Sequence, residues 1–212
     1  MPFLVKHLGL ADYALTYEAM RTFTKERNAD TLDEVWVLQH PPVFTLGLAG
    51  DASNLLAPSE HIPLIQVDRG GEITYHGPGQ IVIYLLLDLK RLGIFVKELV
   101  FRIEQAVIDT LADYGLQAHR IKGAPGIYIA NQPGVPQEWH GAKVAALGLK
   151  VSKSCSYHGL ALNVATDLEA FSRIHPCGYE GLRTVDMQTL GIKDNIDLIS
   201  QKLLEHLQKQ LM

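Results

Sequence analysis

The stretch PLIQVDRGGEITYHGPGQIVIYLLLDL, residues 63–89, decides the fold class of this 212-residue chain. It predicts a strand, a glycine turn, a short strand, a second glycine turn and then a further strand. That last strand contains the run IVIYLLL at residues 81–87, which is apolar on both faces. Because a strand of this kind is covered on both sides, we expect it in the middle of a sheet.

Helices and further strands are predicted on both sides of this stretch. Apolar residues recur every three or four positions between residues 96 and 114, and Gly115 follows where a helix commonly ends. Two other helices are expected at 11–28 and at 195–211, where Asn195 can cap the last one. Further strands are expected at 34–40, 126–130, 143–151 and 158–164.

The order of these elements mixes helices with runs of strands instead of alternating them strictly. We therefore expect an α+β (mixed α/β) fold, with a mixed, mostly antiparallel sheet and flanking helices, and without a Rossmann topology. No internal repeat, low-complexity tract or linker interrupts the chain. Residues 1–212 are accordingly expected to form a single domain.

The composition argues against several classes of function. A formal net charge of -4 with scattered basic residues does not favour binding to nucleic acid. The two cysteines are too few for a disulfide framework, which favours the cytoplasm. The beginning of the chain lacks the pattern of a signal peptide, and the run at 81–87 is far shorter than the roughly 20 residues that span a bilayer. We therefore expect a cytoplasmic protein without membrane insertion.

The first candidate for a functional segment is RGGEITYHGPGQ at residues 69–80. Glycines allow backbone N–H groups to approach a ligand closely. The segment matches neither the Walker pattern nor the dinucleotide-binding pattern. On the residues alone, two tight connections between strands explain it equally well.

The second candidate is GAKVAALGLKVSKSCSYHGLALNV at residues 141–164. Gly148 and Gly159 interrupt strands, which indicates either a ligand against the backbone or a place where the fold is crowded. Lys143 begins the first of these strands. Taken by itself, a lysine in that position is more typical of a solvated surface charge.

The third candidate, HPCGYEG at residues 175–181, places Cys177 in a turn flanked by proline and glycine. A structural cysteine usually lies on an apolar face, so this setting favours a reactive thiol. Cys155 is the competing thiol. Cys155, His158 and Cys177 lack the second close pair of ligands that a structural zinc site needs, so no metal is expected. A Cys–His hydrolase stays open, although no local pattern identifies its histidine.

Taken in order, RGGEITYHGPGQ, APGIYI, KVAALGLKVSKSCSYHGLALNV and FSRIHPCGYEG closely resemble the octanoyltransferase family, also called lipoyl(octanoyl) transferase or lipoate-protein ligase B. The resemblance extends from about residue 35 to residue 181. It implies a domain of the biotin/lipoate protein ligase (class II synthetase-like) type that needs no cofactor. The implied reaction moves an octanoyl (or lipoyl) group from acyl carrier protein to a lysine of a lipoyl domain, as the first step of endogenous protein lipoylation. The implied acceptors are lipoyl domains of 2-oxoacid dehydrogenases and the glycine cleavage H protein.

The resemblance also assigns roles to residues. It implies that Cys177 forms the acyl thioester and that Lys143 lowers the pKa of this thiol. The residues implied in substrate binding are Arg69, Gly70, Gly71, Glu72, Ile73, Thr74, Tyr75, His76, Ala146, Leu147, Gly148, Gly159, Leu160 and Ala161. Two features depart from the family: the loop at 131–140 is longer than a minimal hairpin, and Ala146 stands where many relatives carry a hydroxyl.

The expected mechanism depends on a thiolate, because an ordinary thiol with a pKa near 8.5 is only a few per cent ionised at neutral pH. A lysine about 4–6 Å away would lower that pKa by roughly 1–3 units. Backbone N–H groups of Gly178 and of the Gly70–Gly71 turn are the candidates for stabilising the oxyanion. The alternatives are an ATP-dependent ligase of the same fold and a binding protein without turnover. For docking of acidic partners, the basic candidates are Arg120, Lys122, Lys150, Lys153 and Arg173.

Overall fold

A computed structural model describes residues 3–178 and 181–212, with only the backbone of Cys177. The strands are β1 (Leu4–Leu10), β2 (Glu34–Gln39), β3 (Val43–Leu46), β4 (Leu64–Gln66), β5 (Ile73–His76), β6 (Gln80–Leu86), β7 (Ala118–Ile121), β8 (Ala124–Ile129), β9 (Lys143–Ser152) and β10 (Cys155–Asn163). The helices are α1 (Tyr13–Glu26), α2 (Leu89–Leu92), α3 (Val96–Ala112) and α4 (Ile196–Leu211). Short 3₁₀ turns lie at Ala52–Asn54, Gln137–Trp139, Glu169–Arg173 and Pro176–Gly178.

Seven strands form the main sheet, in the order β1-β2-β6-β10-β9-β8-β7. β1 pairs with β2 in parallel, and the other neighbours pair antiparallel. β6 lies between β2 and β10, and every residue of this strand is buried. The expected central strand and the mixed, mostly antiparallel sheet are therefore confirmed.

Helices cover both faces of the main sheet. On one face, α3 and α4 pack over the largest apolar cluster, and the α3 residues Leu99, Ile103, Val107 and Leu111 are each 0% exposed. On the other face, Met20 of α1 packs with aromatic and aliphatic side chains of β2, β6 and β10. The Asn195 side chain accepts a hydrogen bond from the N–H of Leu198, so the expected cap of the last helix is confirmed.

A second, three-stranded sheet has the order β4-β3-β5 and carries the first glycine segment. Neither this separate sheet nor β1 was expected from the sequence. β3 has only four residues and directly follows two prolines, while β1 is an edge strand whose exposed leucines hide the usual alternation. Among the described residues, no helix is both long and apolar enough to cross a membrane.

Candidate active site

Lys143 is the first residue of β9, and its side chain is buried, with 4% of the residue exposed. Its Nζ donates a hydrogen bond of 2.9 Å to the carbonyl oxygen of Pro125 and lies 5.5 Å from the centre of the Tyr128 ring. The backbone is held as well, because the Lys143 N–H donates to the Arg183 carbonyl at 2.8 Å. A buried ammonium is costly unless polar groups surround it, so this lysine is not the solvated charge that its position alone suggested.

The turn that carries Cys177 lies beside this lysine. Pro176 and Lys143 line the same small cavity, together with Thr74 and Thr184. The turn is tied to its surroundings by the His175 N–H, which donates to the Asn54 carbonyl at 2.9 Å. The thiol of Cys177 and residues 179–180 lie outside the described residues, so the expected thiol-to-ammonium distance stays a prediction.

Two of the backbone groups expected to bind the oxyanion are already engaged. The Gly178 N–H donates to the His175 carbonyl at 2.9 Å, and the Gly70 N–H donates to the Leu149 carbonyl at 3.0 Å. A group that stabilises a developing negative charge must be aimed at it before the reaction starts. These bonds within the fold therefore argue against an oxyanion role for Gly70 and Gly178.

Most of the residues implied in substrate binding line one cleft together with Lys143. They are Arg69, Gly71, Glu72, Ile73, Thr74, His76, Ala146, Leu147, Gly148, Gly159, Leu160 and Ala161. Gly70 lines a neighbouring cleft with Pro125 and Leu149. Tyr75 is 1% exposed and packs against Phe44 and Phe171 instead. Their contacts with a substrate stay predictions.

The floor of this cleft follows β9 and β10, in which Gly148 and Gly159 are directly paired. β9 extends roughly 20 Å from Lys143 to Leu149, at about 3.3 Å per residue. At the far end of this length, Leu149 pairs with His158 of β10. Side chains are excluded at both glycines by the fold itself. A Cβ atom on Gly148 would lie 2.9 Å from the Gly70 oxygen, and one on Gly159 would lie 2.0 Å from the Ile83 oxygen. Crowding thus accounts for these glycines.

Arg69 and His76 hold the glycine segment in place. The Arg69 guanidinium donates to the Thr45 carbonyl and hydroxyl, both at 2.8 Å, and to the Gly70 carbonyl at 3.0 Å. The Nδ1 of His76 lies 2.7 Å from Oε1 of Gln80, whose amide nitrogen donates to the Tyr75 carbonyl. Since that amide oxygen is an acceptor, Nδ1 of His76 carries the proton.

Buried histidines keep part of the cleft wall uncharged near neutral pH. Burial lowers the pKa of His76 to about 3 and that of the neighbouring His40 to about 4. The Nδ1 of His40 lies 2.7 Å from the Ala11 carbonyl, and its Nε2 lies 2.7 Å from the Tyr84 hydroxyl. Nδ1 therefore donates to the carbonyl and Nε2 accepts from Tyr84, as in a neutral imidazole.

Sequence profiles and relatives identify the family. The lipoyl protein ligase A/B catalytic domain matches residues 12–208. An octanoyltransferase from Polynucleobacter asymbioticus is 81% identical over 212 residues, which cover 100% of this chain and 99% of that protein. The chain belongs to the octanoyltransferase family. A second octanoyltransferase, from Paraburkholderia phytofirmans, is 57% identical over 210 residues, or 99% of this chain and 87% of its own.

Solved structures place this octanoyltransferase family member in the lipoate and biotin protein ligase fold. A bi-partite lipoate protein ligase from Thermoplasma acidophilum has a TM-score of 0.77 at 15% identity, covering 100% of this chain and 84% of its own. A lipoate-protein ligase A bound with ATP has a TM-score of 0.75 at 16% identity, covering 100% of this chain and 86% of its own. A biotin protein ligase from Aquifex aeolicus has a TM-score of 0.54 at 14% identity, covering 100% of this chain and 69% of its own. The expected fold type is confirmed.

His158 also lines the octanoyltransferase cleft, and it contacts Asp68, a partner that the sequence analysis did not single out. His158 has a φ of +59°, and its ring lies against Tyr17 and stacks on Tyr157, the residue before it. Its Nε2 lies 3.0 Å from Asp68, which also accepts a hydrogen bond from the Tyr157 hydroxyl. The sequence signal was only a His-Gly pair after an aromatic residue, because Asp68 is 90 positions away.

In the contact between these two residues, Asp68 carries a negative charge and His158 is neutral. Burial alone would raise the pKa of Asp68, but hydrogen bonds from His158, Tyr157 and Tyr17 hold it below its ordinary range. Burial lowers the pKa of His158 although Asp68 opposes the change, so we regard the contact as a neutral imidazole donating to a carboxylate. Within the described residues, Nδ1 of His158 is buried without a hydrogen-bond partner.

Proposed function

We propose that this octanoyltransferase moves an octanoyl group from acyl carrier protein to a specific lysine of a lipoyl domain, through a thioester on Cys177 assisted by Lys143. The names of its close relatives support the acyl group and the reaction. The observation that carries the mechanism is the position of Lys143. Its buried ammonium lines the same small cavity as Pro176, the residue that precedes Cys177.

In the first half of the reaction, the Cys177 thiolate attacks the carbonyl carbon of the donor thioester. A new carbon–sulfur bond forms, the bond to the carrier sulfur breaks, and the carrier thiolate takes a proton from the Lys143 ammonium. The Lys143 amine is then neutral. The ammonium held by the Pro125 carbonyl thus supplies both the charge that favours the thiolate and the proton that the leaving group needs.

In the second half, the acceptor lysine attacks as a neutral amine. A carbon–nitrogen bond forms, the bond to the Cys177 sulfur breaks, and the amine proton passes to the neutral Lys143. This restores the starting pair of thiolate and ammonium. A thioester is more reactive than an amide, so the transfer requires no ATP.

The cleft along β9 and β10 supplies a slot for the acyl chain. Ala146, Leu147, Leu160 and Ala161 give it an apolar lining. At about 0.8 kcal/mol for each buried CH₂, an eight-carbon chain gains several kcal/mol of binding free energy here. The slot begins beside Lys143, so a chain attached to Cys177 would enter it from that end.

The donor in this proposal is octanoyl-acyl carrier protein. The acceptors are lipoyl domains of 2-oxoacid dehydrogenases and the glycine cleavage H protein. The proposed location is the cytoplasm, where reducing conditions suit a reactive thiol. Residues 1–212 are proposed to act as one catalytic domain.

Intact-mass measurement after mixing the protein with octanoyl-acyl carrier protein, without ATP, tests this function. We expect an octanoyl adduct that hydroxylamine removes and that passes to an added lipoyl domain. Cys177→Ser should abolish the hydroxylamine-sensitive adduct, whereas Cys155→Ser, the matched control at the buried thiol, should keep it. Transfer only from octanoate plus ATP would identify an adenylate-forming ligase and overturn the proposal.

A further inference from the structure

Glu104 is a buried carboxyl group that the mechanism above does not use. It lies on α3 and is 6% exposed. Its Oε1 accepts a hydrogen bond of 3.1 Å from the N–H of Gly126. Its Oε2 lies 3.1 Å from Nε of Arg120, an ion pair rather than a well-aligned hydrogen bond.

Arg120 is itself held in place around α3. Its Nη2 donates to the Gln105 side chain at 2.8 Å and to the Phe101 carbonyl at 3.1 Å. Its guanidinium lies 4.2 Å from the centre of the Phe101 ring. A buried carboxylate is stable in a protein when a fixed cation and a hydrogen-bond donor both face it, and Glu104 has both.

The N–H that Glu104 binds belongs to the peptide group that holds Lys143. The carbonyl of this peptide, on Pro125, accepts the hydrogen bond from Nζ of Lys143 at 2.9 Å. Its N–H, on Gly126, points to Glu104 at 3.1 Å. Hydrogen bonds in a chain polarise one another, so a carboxylate at the N–H end makes the carbonyl oxygen a better acceptor for an ammonium.

The lysine side chain also lies directly across this peptide. A Cβ atom added to Gly126 would be 2.3 Å from Cε of Lys143 and 2.9 Å from its Nζ. Any rotation of the peptide would therefore move both the hydrogen-bond acceptor and the surface on which the lysine rests. The hydrogen bond to Glu104 restrains that rotation from the other side of the peptide.

We propose that Glu104 is a positioning residue for Lys143, acting through the Pro125–Gly126 peptide to hold the ammonium beside the Cys177 turn. The inference rests on the proposed function, because it assigns Glu104 a part in activating the Cys177 thiol. Glu104 itself is not a catalytic residue. Its effect reaches the reacting atoms only through Lys143.

Glu104→Gln tests the inference, since the amide keeps the size and one acceptor oxygen but loses the charge. We expect kcat of octanoyl transfer to fall about tenfold with little change in KM, the scale of one weakened hydrogen bond to a charged group. The pH midpoint of Cys177 alkylation should rise toward that of an ordinary thiol. Glu98→Gln is the matched control, because Glu98 pairs with Arg102 on the exposed side of the same helix and should leave both readouts unchanged.

A double-mutant cycle with Lys143→Ala separates positioning from damage to the fold. If Glu104 acts through Lys143, then Glu104→Gln shifts the alkylation midpoint in the wild-type background but not in the Lys143→Ala background. Equal shifts in both backgrounds, or no shift in either, overturn the inference. Absence of an octanoyl adduct on the wild-type protein would instead reject the proposed function, so the two failures are distinguishable.

Discussion

Gly126 shows at the scale of one residue how a missing side chain fixes the position of a functional one. Its φ is +134°, a backbone conformation that other residues rarely adopt. The space where a Cβ atom would lie is filled by the Lys143 side chain and by the Ala145 carbonyl, 2.7 Å away. Both the conformation and the contact therefore require glycine.

We predict that Gly126→Ala displaces Lys143 and lowers octanoyl transfer at least tenfold. The backbone strain alone costs about 1–3 kcal/mol of folding stability, and the clash adds to it. Gly123→Ala is the control, because Gly123 has a φ of +85° in the same hairpin but nothing within 4 Å of an added Cβ. It should lose stability in thermal unfolding and keep its kcat. Equal losses of kcat in both variants would contradict the role given to Gly126.

The same scale shows which features of the site local sequence could not reveal. Lys143 was placed correctly at the start of a strand, but its burial depends on a carbonyl 18 positions away. The Asp68–His158 contact joins residues 90 positions apart. Local sequence patterns carry no information about such partners, so only the family resemblance pointed to Lys143, and nothing pointed to Asp68.

At the scale of elements, the β9–β10 hairpin carries an unusual turn. Ser152 pairs with Cys155, which leaves Lys153 and Ser154 as a two-residue connection with φ values of +50° and +63°. Two positive φ values define the type I′ turn, which strongly favours Asn-Gly. This hairpin therefore places two ordinary residues in a conformation that suits glycine better.

We predict that Ser154→Gly stabilises the protein by about 0.5–1 kcal/mol, because it removes the cost of positive φ. For a chain of this size the melting temperature should rise by about 1–4 °C. Ser152→Gly should do the opposite, since Ser152 lies in the extended strand, where glycine loses conformational entropy. The test is thermal unfolding of both variants beside the wild type. A lower melting temperature for Ser154→Gly would contradict this prediction. It would mean that the hydroxyl of Ser154 stabilises the folded protein by more than the positive φ costs.

The helices and strands that the sequence predicted best are the long ones in which apolar residues repeat regularly. The helix expected at 96–114 was confirmed as Val96–Ala112, because its apolar residues repeat over several turns. β3 and β7 were not predicted, because with four residues each they are too short for a pattern to stand out. The separation of β3, β4 and β5 into their own sheet depends on pairing between distant strands, which no single segment encodes.

At the scale of the whole molecule, buried histidines link stability to pH. His40 is 0% exposed and His76 is 6% exposed, and burial holds their pKa values at about 4 and about 3. In the unfolded chain a histidine has a pKa near 6.5. Between these values the unfolded state binds protons that the folded state does not. The contribution of these neutral histidines to the free energy of unfolding is therefore complete above about pH 6.5. It decreases as the pH falls toward the pKa values of the folded state.

His40→Gln should abolish the proton uptake of this position on unfolding, because glutamine does not titrate. The glutamine amide can still donate to the Ala11 carbonyl and accept from Tyr84, as His40 does. Each such histidine contributes a slope of about 1.4 kcal/mol per pH unit. Between pH 6.5 and pH 5 the free energy of unfolding of the variant should therefore fall by about 1.6 kcal/mol less than that of the wild type, because the full slope is reached only below pH 6.5. Urea unfolding at several pH values measures the difference. His61→Gln, at an exposed position, should retain the wild-type slope. Parallel curves for His40→Gln and the wild type would mean that His40 is already protonated in the folded protein, contrary to its burial and its bond from Tyr84.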